Sequence, residues 1–431
     1  MFSLIECTTS NGRIRLKQAK SFDISKQVVW EAYQRVKANR GSAGVDAQSI
    51  QDFEVDLKDN LYKLWNRMAS GSYFPPPVLR VEIPKKDGGL RPLGIPTVSD
   101  RIAQMVVKIM FEPEVEPYFH PDSYGYRPGK SAIQAVGMAR GRCWRYNWVV
   151  DLDIRGFFDN MDHDLLMRAV RKHTDCKWIR LYLERWLKAP VQMGDGSLVN
   201  RDKGTPQGGV ISPLLANLFM HYAFDTWMQR NYFHIPFERY ADDAVVHCKS
   251  GEEARCLKDA IGARLMDCGL ELHPDKTKIV YCQDANRKGS YSNVTFDFLG
   301  FGFQPRQSKS RWGKLFLNFS PAVSAKAAKS IRQTIRSWKI HRWTHLSIEE
   351  LAARCNPILR GWINYYGQYY KSLLAPILGQ LDYALIRWAK RKYRRLKVSH
   401  CKARTWVKGI AQRQPNLFVH WQITLQPTTG R

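Results

Sequence analysis

Apolar and polar positions along the chain follow two rhythms. Apolar residues recur at helical spacing near 25–39, 52–69, 98–118, 131–146, 162–188, 212–230 and 251–268. Between them, short runs rich in β-branched and aromatic residues at 78–84, 148–154, 237–248, 278–282 and 295–303 read as strands. This mixture predicts an α+β domain whose antiparallel sheet carries the chemistry. Beyond residue 320 the pattern is almost all helix, over 321–340, 346–370 and 373–397. The polar stretch QPRQSKSRWGK (304–314) is the expected boundary.

Composition sharpens that division. The 431 residues are 44% hydrophobic, which suits a globular chain of several domains. Charge is the outlying quantity: 67 Lys and Arg face 39 Asp and Glu, a formal net charge of +28. From Ser320 onward there are 21 Lys and Arg against 3 Asp and Glu. Self-repulsion of that size points to a polyanionic partner, and nucleic acid is the natural one. Nine cysteines occur with no C-x-x-C pair, so reduced thiols fit better than a zinc knuckle. MFSLIECTTS lacks the pattern of a secretory signal, and no apolar run reaches the length of a membrane span. A cytoplasmic protein with no membrane partner is expected.

The chemistry concentrates in carboxylates. RYADDAVV (239–246) sets two adjacent acids between strand-forming flanks. Neighbouring carboxylates repel, and a tight turn would aim both at one spot, where their hard oxygens suit Mg²⁺. A solvated acidic turn tip is the alternative for such a pair in isolation. VVDLDIRGFFDNMDHDLL (149–166) supplies a second site, with Asp151 and Asp153 on one face of a strand. Three carboxylates from two separated strands meet the needs of two-metal phosphoryl transfer. Asp159, Asp162 and Asp164 read instead as caps or solvated acids of the following helix.

A Tyr-x-Asp-Asp hairpin with an upstream Asp strand resembles the palm of reverse transcriptases. Further motifs follow in that family's order: ANRGSAGVD (38–46), IPKKDGGLRPLGIPTVSDR (83–101), YGYRPGKSA (124–132), GTPQGGVISPLLAN (204–217), GLELHPDKTKIVYC (269–282) and FDFLGFGF (296–303). NPILRGWINYYG (356–367) resembles the maturase thumb of group II intron-encoded proteins. The resemblance implies a right-hand polymerase: an N-terminal extension (1–75), fingers and palm (76–305), a helical thumb (306–397) and a short basic nucleic-acid-binding segment (398–431).

By that resemblance Asp153, Asp242 and Asp243 are catalytic ligands of two Mg²⁺ ions, which Mn²⁺ could replace. Asp151 is the alternative at the upstream position. Phe158 matches the aromatic gate against a ribose 2′-hydroxyl, with Phe157 left for the core. Lys85 and Arg91 match the triphosphate contacts, Gln207 a contact to the incoming nucleotide, and Lys276 a general acid for pyrophosphate. FDFLGFGF is expected to grip the primer strand. In KRKYRRLK, Lys390, Arg391, Lys392, Arg394, Arg395 and Lys397 are candidate RNA phosphate contacts. Trp362, Tyr365, Tyr366, Tyr369 and Tyr370 share a helical face and read as bundle core. Trp388, Trp406 and Trp421 read as packing, with base stacking as the alternative.

The expected activity is RNA-directed DNA polymerisation, joined to binding of the group II intron RNA that assists its splicing and mobility. Partners would be that RNA, an RNA template with a DNA primer, target DNA and dNTPs, in a bacterial cytoplasm and at the nucleoid when bound to target DNA. No His, Asn and paired-Cys endonuclease motif follows LFVHW (417–421), as in the compact class C type. Two alternatives are a non-intron cellular reverse transcriptase and a catalytically silent RNA-binding splicing factor.

Overall fold

The computed structural model describes residues 21–84, 89–310 and 312–424. Its strands are β1 (Val78–Pro84), β2 (Leu90–Ile95), β3 (Trp148–Leu152), β4 (Val191–Gln192), β5 (Leu198–Val199), β6 (Phe237–Tyr240), β7 (Asp243–Cys248), β8 (Lys278–Tyr281), β9 (Phe296–Phe298), β10 (Phe301–Lys309) and β11 (Leu315–Val323). These strands alternate with helices, as the α+β class requires, and packing divides the chain into two compact units built from non-contiguous segments. The first takes the described residues up to Pro84 with Leu90–Pro117 and His163–Pro213. The second takes Tyr118–Asp162 and the chain from Leu214 onward.

In the first unit β2, β1, β4 and β5 form one sheet, with β1 antiparallel to β2 and parallel to β4. Helix Val98–Val115 is its spine. Thr97 caps it by accepting the Asp100 amide, and Ile102, Ala103, Val106 and Val107 are wholly buried. The pattern at 162–188 resolves into two helices, His163–His173 and Lys177–Lys188. Between them the Cys176 amide donates to the Thr174 hydroxyl at 3.3 Å, a local bond that competes with helix continuation. The two-residue strands β4 and β5 are too short for any periodicity to mark.

The second unit holds the antiparallel sheet β6-β7-β3-β8. Val149, Val150, Val245 and Val246 fill it and are fully buried. Helix Ala132–Cys143, started by a Ser131–Gln134 capping box, packs Ala135, Val136 and Ala139 into the same core. The stretch 304–314 is no linker. β10 and β11 pair through it in continuous register, from Phe301↔Val323 to Lys309↔Leu315, because Phe301, Phe303 and Phe319 anchor the hairpin in the core. The helix expected from 321 therefore begins at Ala325.

Helices Ala325–Ser337, Ile348–Tyr366, Lys371–Leu378, Gln380–Lys392 and His400–Arg413 then build a bundle around Leu351, Leu359, Leu374, Leu381, Leu385 and Trp388. Residues from 398 on are not a separate segment over their described part. Ala403, Val407, Phe418 and Trp421 join that same core, and the indole of Trp421 donates to Asp382 at 2.8 Å. Burying a side chain such as Val407 or Phe418 contributes about 1.5–3 kcal/mol. The aromatic stripe is also reassigned in part. Trp362 stacks on Trp338, but Tyr365, Tyr366 and Tyr369 surround Phe301, and Tyr365 donates to the Leu299 carbonyl at 2.8 Å. The stripe therefore seams the helices to the β9–β10 turn, and the expected primer-gripping hairpin is also core. Among the described residues, no helix is long and apolar enough to cross a membrane.

Candidate active site

The strand ladder brings the three predicted carboxylates to one end of the sheet. β3 and β7 pair antiparallel with Leu152 opposite Ala244. One further step sets Asp153 opposite Asp243, just beyond the paired ladder. β6 and β7 close a tight turn with Tyr240 opposite Asp243, so Ala241 and Asp242 form its tip. Asp151 instead lies inside the ladder, opposite Val245 on one side and Lys278 on the other.

Asp153 is held by its backbone. Its carbonyl accepts the His273 amide at 2.8 Å, and its own amide donates to the Thr277 hydroxyl at 3.3 Å. The same turn carries Lys276, whose ammonium lies 3.7 Å from Asp153 Oδ2. Asp243 keeps solvent-accessible surface, yet the protein packed around it, then the charges of Asp242 and Asp153, push its carboxyl up to about 7; Lys276 opposes them. Burial, followed by Asp243, Asp153 and Asp297, pushes Asp151 up to about 8. Negative charge is thus crowded and incompletely neutralised at this end of the sheet, the electrostatic condition that a divalent cation relieves. Among the described residues no three acidic, His or Cys side chains already stand in metal-holding geometry. Hard oxygen donors on a turn and a strand end nevertheless fit Mg²⁺, which keeps waters and substrate phosphates in its shell.

Phe157 and Phe158 differ in burial. Phe157 is buried beside Phe219, with ring centroids 6.3 Å apart, while Phe158 stays partly exposed and meets Phe157 edge-on at 5.2 Å. In the first unit, Arg91 Nε donates to Gln207 Oε1 at 2.8 Å, and the Gly94 amide donates to the Gln207 carbonyl at 2.8 Å. Gly208, at φ 118°, lies so close to β2 that a Cβ would stand 2.6 Å from the Gly94 carbonyl oxygen. That approach explains the paired glycines of the loop. Lys85 lies outside the described residues.

The site also rests on residues that motif reading passed over. Arg239 is fully buried and pairs with Asp225 through two hydrogen bonds of 2.7 and 2.6 Å. Its remaining donors reach Asn217 Oδ1 at 3.0 Å, Ser123 Oγ at 2.8 Å and the Ala241 carbonyl at 2.8 Å. Asn217 also donates to the Gly125 carbonyl at 2.5 Å. One buried guanidinium therefore ties the Asp242–Asp243 turn to Ser123 before YGYRPG, to the end of GTPQGGVISPLLAN and to the π turn His221–Asp225. The one available signal was Asn217, a polar residue in the otherwise apolar run PLLANLFM. Beside it, Glu238 meets His247 at 2.5 Å and Arg142 at 2.6 Å, with Arg142 also bonded to Asp122 at 2.7 Å. In the first unit, buried Asp100 accepts from Tyr73 at 2.8 Å, Trp186 at 2.7 Å and Gln104 at 2.9 Å, and Gln104 accepts the Val210 amide at 2.8 Å.

The candidate RNA contacts of 390–397 do not behave alike. Arg391, Arg394, Arg395 and Lys397 are exposed, and Lys390 is half-buried. Lys392 turns inward, donating to the Leu346 carbonyl at 2.5 Å and lying over the Trp388 ring, so part of its ammonium is already engaged within the bundle. Trp388 and Trp421 are buried and unavailable for stacking.

Two protein families match this chain. The family described as "Reverse transcriptase (RNA-dependent DNA polymerase)" matches residues 83–303, and "Group II intron, maturase-specific domain" matches residues 328–406. Protein YkfC of Escherichia coli (strain K12) is 32% identical over 63% of this chain and 78% of its own length. The group II intron-encoded protein LtrA of Lactococcus lactis subsp. cremoris is 36% identical over 45% of this chain and 32% of its own. An uncharacterised 91 kDa protein in the cob intron of Schizosaccharomyces pombe is 27% identical over 80% of this chain and 50% of its own. The chain thus spans half or less of the latter two. With the family match running over half of its residues and the carboxylate turn seated within it, this chain belongs to the reverse transcriptase family and carries a group II intron maturase-specific domain.

Proposed function

We propose that the protein is an RNA-directed DNA polymerase that also binds a group II intron RNA and assists its splicing and mobility. The observation that carries the polymerase reading is the convergence of Asp153 and Asp243 across the β3–β7 ladder, with Asp242 at the adjoining turn. Asp153, Asp242 and Asp243 would hold two divalent ions, Mg²⁺ or Mn²⁺, which when bound supply an acidified primer 3′-hydroxyl and neutralise charge on the transferring phosphate. Position favours Asp153 over Asp151, since it stands past the ladder and faces the turn.

The protein's own groups then set specificity and proton movement. Phe158, steadied by Phe157, presents an edge that excludes a ribose 2′-hydroxyl. Lys276 lies beside the carboxylates and can carry a proton to the departing pyrophosphate. Arg91, oriented by Gln207, and Lys85 are assigned to the triphosphate. The right-hand architecture, with the helical bundle as thumb, belongs to this same reading, as do dNTPs, an RNA template with a DNA primer, and target DNA.

The splicing role rests on the maturase-specific match and on the basic bundle. Primer extension on an RNA template, comparing wild type with Asp242→Ala, tests the polymerase. If wild type incorporates no deoxynucleotide, that reading is wrong. Splicing of the flanking intron RNA with and without protein tests the second role separately.

A further inference from the structure

We propose that a basic hollow on the helical bundle is a binding site for one nucleotide of an RNA strand. This rests on the RNA-binding reading above and places that contact outside the 390–397 run. The hollow, about 330 Å³, opens between the end of helix Ala325–Ser337 with the turn after it and the first two turns of helix Gln380–Lys392. Arg336, Lys339, His341, Gln380, Tyr383 and Arg387 line it.

Two chemistries meet there. Arg336, Lys339 and Arg387 are exposed, and none has a carboxylate partner among the described residues. Asp382, the acid on the same helix, faces away and accepts from His420 at 3.0 Å and Trp421 at 2.8 Å. His341 registers the unbalanced field: partial burial, then Arg387, Arg391, Arg342 and Lys339, hold its pKa below the usual imidazole range. Opposite these cations stands Tyr383, 64% exposed although it is a large ring. Gln380, one helical turn before it, offers an amide that both donates and accepts.

Each half of this lining suits one half of a nucleotide. Three unpaired cations suit a phosphate diester, the guanidinium forks binding its oxygens in pairs. An exposed ring with an amide at its side suits a base, stacked on one face and hydrogen-bonded at its edge. A bare anion would leave the ring unused, and an apolar peptide would bury the cations. The match of residues 328–406 to a group II intron maturase-specific domain selects RNA as the strand.

The test uses the full chain and a 5′-fluorescein-labelled single-stranded RNA 20-mer of mixed sequence, read by anisotropy across a KCl series. Arg336→Gln/Arg387→Gln should weaken binding roughly tenfold and flatten the log–log salt slope by about 0.7, the value for one phosphate contact. Tyr383→Ala should weaken it roughly fivefold or more without changing the slope. A pair of equal charge loss elsewhere, Lys63→Gln/Lys188→Gln, sets the baseline, and melting curves confirm that each variant is folded. If the double variant matches that baseline, or Tyr383→Ala binds as wild type does, the site is wrong while RNA binding stands. Tighter binding of the same-sequence DNA, abolished by the same variants, overturns the assignment to RNA. Failure of the wild type to bind the 20-mer removes the RNA-binding reading and the site with it.

Discussion

The Arg239 guanidinium donates to the Ala241 carbonyl at 2.8 Å, one residue before the Asp242–Asp243 pair and from within the strand that leads into it. Ala241 has φ 58°, a conformation that a residue with a Cβ adopts only under outside constraint. Arg239 supplies that constraint, and Asp225 neutralises it in turn. Arg239→Met should destabilise the protein by about 3–5 kcal/mol, since it strands a buried carboxylate. Arg239→Lys, which keeps the charge but not the fork, should fold better and still lose deoxynucleotide incorporation. Urea unfolding read beside primer extension checks both. A Lys variant with wild-type kcat would show that the clamp serves stability alone.

Gly125 packs against the same turn from the other side. A Cβ there would stand 2.5 Å from the Ala241 amide nitrogen, which is backbone and cannot step aside. Gly125→Ala is expected to lower polymerisation by at least roughly tenfold, because displacements of about an ångström at reacting groups cost that much or more. Gly129→Ala is the comparison. No atom lies within 4 Å of its added Cβ, so strain from its φ of 69° is the only cost there. Steady-state incorporation rates separate the two.

Phe158 should decide which sugar is accepted. Phe158→Ala is expected to raise ribonucleotide incorporation relative to deoxynucleotide by roughly tenfold or more, with a smaller change in kcat for dNTPs. Phe157→Ala should instead cost about 3–5 kcal/mol of stability as a core truncation. Competitive incorporation of rGTP and dGTP, beside thermal melting, distinguishes gate from core.

The first unit should carry its own pH signature. Burial, against bonds from Trp186, Tyr73 and Gln104 and the nearby charge of Arg101, raises the Asp100 pKa from 3.8 to about 6. The folded form therefore holds this proton more tightly than the unfolded chain does. Its stabilisation is complete below about pH 4 and is lost as pH rises through 6, on the order of 3 kcal/mol across the window. Asp100→Asn is less stable, because its amide nitrogen meets the Gln104 amide, but it should lose this slope. Urea midpoints at pH 4, 5, 6 and 7, followed by tryptophan fluorescence, would reveal it; equal slopes in the two proteins would refute the assignment.

Much of the site was legible because catalysis by carboxylates demands particular residues at local spacings. Asp242 and Asp243 are adjacent, Asp153 follows an apolar strand, and the family resemblance singles out Phe158, five residues beyond Asp153. The hub residues were not legible in the same way. Asn217, Asp225 and Arg239 are separated by 8 and 14 positions, and no local rule links an Asn in one helix to an Arg in a later strand. Only pairing of β6 beside β7 and packing of helix Ser212–Met220 bring them to one buried point.

Amino-acid order alone determined the class of elements, the family motifs, the three acids and the basic character of the C-terminal quarter. Those properties are set by neighbours within a few residues or by simple sums of charge. Tertiary structure decided what long-range burial governs: that 304–309 pairs with 315–320 in a hairpin, that Ala403, Val407, Phe418 and Trp421 complete the bundle core, and that Lys392 faces inward. It also decided that Arg336 and Arg387, 51 positions apart in the chain, share one hollow. Periodicity says which face of a segment is buried, whereas the partner of that face depends on the whole chain closing around it.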